Sequence, residues 1–85
     1  MSTTEGDVAM GYGVVDKDGR LLVDTMSPHP RGARVNWLYT HARVMVQNHH
    51  TEDEIEKMFL RQAAMAGAKL HEVAMRLGRD LGTTQ

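Results

Sequence analysis

The sequence predicts an α+β domain: a three-stranded antiparallel sheet covered on one face by two helices, in the order ββααβ. Three observations point there. Two β-forming runs flank the turn signal Asp16-Lys17-Asp18-Gly19. A capping box, Thr51-Glu52-Asp53-Glu54, opens an apolar-periodic run that Gly67 closes. The segment after Gly67 alternates in a way that suits a third strand. At 85 residues the chain has room for one domain with a thin core.

Residues 1–9 are polar, small and without period, and read as a flexible leader; the domain proper is expected over 10–77. Tyr12, Val14 and Val15 are strand formers, and Val15 and Leu21 flank the turn as hairpin neighbours. Arg20–Thr25 reads as the return strand. Ser27-Pro28-His29-Pro30 ends the sheet, since each proline biases its predecessor away from the α region. Pro30 suits the first position of a helix.

From Arg31, the residues Val35, Leu38, Ala42, Met45 and Val46 fall on one helical face. That predicts a first helix from Arg31 to Met45, with the alternative that Val44-Met45-Val46 is extended. In the second helix Ile55, Met58, Phe59, Gln62, Ala63 and Ala66 continue at helical spacing. Residues 68–77 read as a strand, because a lone hairpin is marginal in water without a third strand or a covering helix. The alternative architecture is a β-hairpin plus three helices. Residues 78–85 read as a flexible tail.

Composition excludes several classes. There is no cysteine, which removes thiol nucleophiles and cysteine zinc sites and suits the cytoplasm. No apolar run approaches the ~20 residues that span a bilayer, and the polar acidic start is no signal peptide, so no membrane partner is expected. Net charge is −1, which does not favour a surface dedicated to nucleic acid. Ser2 and Ser27 lie in no nucleophile elbow, and no phosphate-binding glycine loop exists beyond the weak Gly11-Tyr12-Gly13. An enzyme is not expected, nor a cofactor.

Four constellations could carry function. His29, His41, His49, His50 and His71 offer imidazoles, but no pair has ligand spacing, so no metal site is expected. A metal-dependent small enzyme built on His49, His50 and a carboxylate is the most distant alternative. On the first helix, Arg34, Trp37, His41 and Val44 form a stripe opposite Val35, Leu38 and Ala42. Trp and Arg are enriched at interface hot spots, so this stripe, flanked by Arg31 and Arg43, is a candidate partner-binding surface. The competing reading puts Trp37 in the core, with the helix rotated or sandwiched. Between Arg20 and Val46 four arginines stand against one acid, Asp24, so Arg31, Arg34 and Arg43 are also candidate phosphate contacts for a nucleic-acid accessory protein. Finally Glu52, Asp53 and Glu56 form an acidic face that could mimic phosphates, although acids are also ordinary at a helix N-terminus.

The hairpin Val14-Val15-Asp16-Lys17-Asp18-Gly19-Arg20-Leu21-Leu22-Val23-Asp24-Thr25, then Ser27 and Arg31, Val35-Asn36-Trp37-Leu38, Thr51–Phe59 and Leu70–Leu77 together resemble small tailed-phage and prophage accessory proteins over residues 10–77. Most such proteins have no assigned function, and some of this size are inhibitors of host defence, including anti-CRISPR proteins. The resemblance implies a non-enzymatic protein-binding module in the host cytoplasm, acting as a stoichiometric inhibitor of a host defence or nuclease complex. It carries no functional residue across. One sheet face left uncovered, or an edge strand left free, adds the expectation of a homodimer.

Overall fold

The computed structural model describes residues 8–76. Strands β1 (Val8–Val15) and β2 (Leu21–Ser27) form the hairpin, helices α1 (Pro30–Thr40) and α2 (Glu52–Ala66) follow, and β3 (Lys69–Arg76) closes the domain. The sheet is antiparallel with the order β2-β1-β3. The chain is thus the expected α+β domain in the order ββααβ, and residues 69–76 are a strand rather than a third helix. One boundary differs. Val8 and Ala9, assigned to the leader, pair with Arg76 and Met75, so the sheet begins two residues earlier than expected. The rest of the leader, Leu77 and the tail lie outside the described residues.

The hairpin turn is organised by Asp16. Its Oδ1 accepts the backbone N–H groups of Asp18 at 2.9 Å and Arg20 at 3.0 Å, and Gly19 supplies a φ of +82°. The bond from Arg20 holds the Asp16 carboxyl below its usual range. Val15 pairs with Leu21 and Val14 with Leu22, but the next pair is Tyr12 with Ser27. Four residues of β2, Val23 to Met26, therefore lie against the single residue Gly13. This bulge turns Thr25 inward, where it is fully buried. Its hydroxyl accepts the Val14 N–H at 2.9 Å and donates to the Leu22 carbonyl at 2.6 Å, closing a ladder that the bulge would otherwise break.

Helix α1 is shorter than its apolar period suggests. Pro30 is its first residue, and the helix ends at Thr40, whose hydroxyl donates to the Asn36 carbonyl at 2.7 Å. Arg43 then takes a φ of +59°, and the Val44 N–H turns back to the Leu38 carbonyl at 2.7 Å. The chain leaves the helix so that Ala42, Val44 and Val46 fold against the core while Met45 stays exposed. The helix expected through Met45 is corrected here: it ends at Thr40, and Val44–Val46 belong to neither a helix nor a strand.

The core gathers on one side of the sheet. Leu22, Val14 and Leu70 form a row across the three strands, and Trp37, Leu38, Ile55, Phe59 and Ala63 pack on it. Burying each large side chain contributes about 1.5–3 kcal/mol. Trp37 is 3% exposed and meets Phe59 edge to face, ring centroids 5.4 Å apart at 77°. The surface stripe through Trp37 is therefore a second correction. Helix α1 is sandwiched between β2 and α2, so two of its sides are covered, and Ala33, Trp37 and Leu38 are buried together. Val35 is only half-buried. Asn36 uses this proximity, donating to the bulge carbonyls of Thr25 and Met26 at 3.3 and 3.4 Å.

Helix α2 begins with the full capping box. The Thr51 hydroxyl accepts the Glu54 N–H at 3.2 Å, and the Glu54 carboxylate accepts the Thr51 N–H at 2.8 Å. That second bond lowers the Glu54 pKa. The helix ends at Gly67, with φ +73°, and the Ala68 N–H reaches the Ala63 carbonyl at 3.0 Å.

Candidate functional site

The sharp reversal at Gly67 sends β3 away from α2, and a groove of about 370 Å³ opens between them. Phe59, Ala63, Ala68 and Leu70, which belong to or pack against the core, line it together with Leu60, Ala64 and the charged side chains Arg34, Glu56 and Lys69. Glu56, Leu60 and Ala64 are four residues apart, so they share one stripe of α2 beside the buried stripe of Ile55, Phe59 and Ala63. Leu60 is 57% exposed. A mostly apolar trough with a large exposed side chain and three charged residues in its lining resembles the apolar core and polar rim of an interface.

A second hollow, of about 390 Å³, adjoins it at the start of α1. It is lined by His29, Pro30, Arg31, Gly32, Arg34 and Glu52. Arg34 borders both. The first turn of α1 carries no acid and no side-chain cap, so its positive end adds to the two arginines. Arg31 Nε lies 3.9 Å from Glu52 Oε2 with both side chains more than half exposed. Such a pair contributes little to stability and leaves both groups available to a partner.

The candidate residues thus divide. Arg31, Arg34, Glu52 and Glu56 gather around the two adjoining hollows. Asp53 is exposed in the first turn of α2 but lines neither. His41 lies past the other end of α1, its Nε2 2.9 Å from Asp24 Oδ1, and ties that helix to the β2 bulge. Arg43 lines a separate hollow of about 420 Å³ with Tyr39, Thr40 and Met45. Arg31 and Arg43 are separated by the length of α1, about 16 Å for eleven residues, so the three arginines do not form one patch. Trp37 belongs to the core.

The histidine pair is occupied locally. His50 Nδ1 accepts the Gln47 N–H at 2.9 Å, and the His49 ring lies 4.5 Å from it, tilted by 39°. Among the described residues no three His, Asp or Glu side chains come together in a way that could hold a metal ion. Among the same residues, no helix is long and apolar enough to cross a membrane.

The sequence alone does not place Leu60, Ala64, Lys69 or Leu70 at a site. The available signal was Leu60 itself, a large apolar residue one position off the predicted buried stripe. No family model, curated protein or solved structure matches the chain significantly.

Proposed function

We propose that this chain is a non-enzymatic protein-binding module that acts by occupying a partner through the groove between α2 and β3. The observation that carries the reading is the mostly apolar trough of Phe59, Leu60, Ala63 and Leu70, lined also by Arg34 and Lys69. Two cations against one acid in its lining select a partner segment that presents an apolar side chain beside carboxylates. Leu60 is the exposed anchor, and Arg34 reads charge at the junction of the two hollows. Binding of this kind is stoichiometric and needs no cofactor. It suits the inhibitor of a host defence or nuclease complex that the phage-like sequence suggests, working in the cytoplasm, where a chain without cysteine needs no oxidative folding.

The test is affinity capture from host lysate, with and without nuclease, using the native chain and the variant Arg34→Glu. A defined protein retained by the native chain in both samples, and lost with a variant of unchanged melting temperature, supports the reading. Equal retention by the variant contradicts the site. Retention that disappears on nuclease treatment favours instead a nucleic-acid accessory protein using Arg31, Arg34 and Arg43.

A further inference from the structure

We infer that the edge of β3 to which no other strand among the described residues pairs joins the same edge of a second copy of the chain, centred on Ala74, to make a continuous six-stranded sheet. This does not rest on the groove. It begins from a mismatch in the sheet. β1 pairs with β3 along its whole length, from Val15 with Lys69 to Val8 with Arg76, but its pairing with β2 stops at Tyr12. Residues 8–11 and 73–76 therefore form a two-stranded ribbon beyond β2. Met10 is 56% and Val8 38% exposed on it. A two-stranded ribbon is marginal in water, and an unpaired edge is a template for another strand.

The side chains of β3 select the occupant. A twofold axis normal to the sheet keeps both helix layers on one side, and it requires one residue of β3 to face itself. Centring on Glu72 sets two carboxylates against each other. Centring on Val73 sets Arg76 against Leu70 and leaves Glu72 opposite Ala74. Centring on Ala74 sets Glu72 against Arg76 of the second copy, twice by symmetry, and Val73 against Met75. The β1–β3 register then continues these pairs into rows. On the helix side Met10, Ala74, and the Ala74 and Met10 of the second copy run in one line. On the other side Ala9 and Met75 meet the Val73 and Gly11 of the second copy. Apolar rows are thus flanked by two opposite-charge pairs, the cross-strand arrangement that stabilises a sheet.

Sedimentation velocity over a concentration series tests this with Glu72→Arg and Arg76→Glu, both at exposed positions. The native chain sediments as a dimer. Each variant alone sets like charges opposite at both symmetric sites and loses the dimer, while an equimolar mixture of the two restores opposite charges at both sites and recovers it. Arg34→Glu, which alters the groove, leaves the dimer intact. A native chain that stays monomeric at its highest soluble concentration, single variants that remain dimeric, or a mixture that stays monomeric would overturn the proposal.

Discussion

The Thr25 hydroxyl stands in for a strand carbonyl opposite Val14. It accepts the Val14 N–H at 2.9 Å inside the β1–β2 ladder while fully buried. The same hydroxyl donates to Leu22, so one side chain satisfies two backbone groups at the bulge. Thr25→Val keeps the shape and removes both bonds. Leaving a buried N–H unpaired costs about 1–3 kcal/mol, which lowers the melting temperature by about 4–8 °C per kcal/mol in a domain of this size. Thr25→Ser keeps the hydroxyl and loses less. Thermal melts of the three proteins check the order.

Trp37 is a structural residue in this account, and its truncation acts on folding. Trp37→Ala removes the edge-to-face contact with Phe59 and costs about 3–5 kcal/mol. That is a large part of the roughly 5–15 kcal/mol that holds a domain together. Denaturant titration of Trp37→Ala is expected to show a much lower midpoint or no native baseline. A variant with native stability and selectively lost binding would return Trp37 to the surface role.

Gly67 lies between α2 and β3, and its φ of +73° is one that side chains rarely adopt. A Cβ there also meets the Lys17 Cβ at 2.9 Å. Gly67→Ala is expected to cost at least about 1–2 kcal/mol from the left-handed conformation alone. Gly67→Asn tolerates that conformation but still meets Lys17, so comparing the two midpoints separates backbone strain from crowding.

Asp16 and Glu54 set the acid sensitivity of the two turns. Backbone N–H groups, of Arg20 for Asp16 and of Thr51 for Glu54, hold both carboxyls below their unfolded values. A depressed pKa contributes stability that is present above the unfolded value and is lost as pH falls through the folded one. Stability should therefore decline as pH drops below about 4. The double variant Asp16→Asn, Glu54→Gln keeps the acceptors without the charge, and should show a shallower acid limb in melts taken from neutral to acid pH. Identical slopes would contradict these roles.

The parts of the fold legible in the sequence are those written within a few residues. The Asp16–Gly19 turn, the Thr51–Glu54 capping box and the left-handed Gly67 each depend on local backbone bonds. The third strand followed from what a hairpin needs. The bulge at Thr25 was not legible, because it is held by Val14 across the sheet and by Asn36 from α1. Nor could periodicity settle the rotation of α1. Val35 and Leu38 share a face, but a helix covered by both β2 and α2 buries Trp37 as well. The groove was hidden for a related reason: Leu60 reads as a stray apolar residue until β3 diverges from α2 beside it.

Site-specific photo-crosslinking inside living cells asks whether Leu60 is the anchor, with the photoreactive residue placed at Leu60 in one chain and at Tyr39, in the hollow beside Arg43, in another. A discrete protein adduct is expected from position 60, lost when Arg34→Glu is added, and none from position 39. An adduct from position 39 with none from position 60 would contradict the anchor role of Leu60.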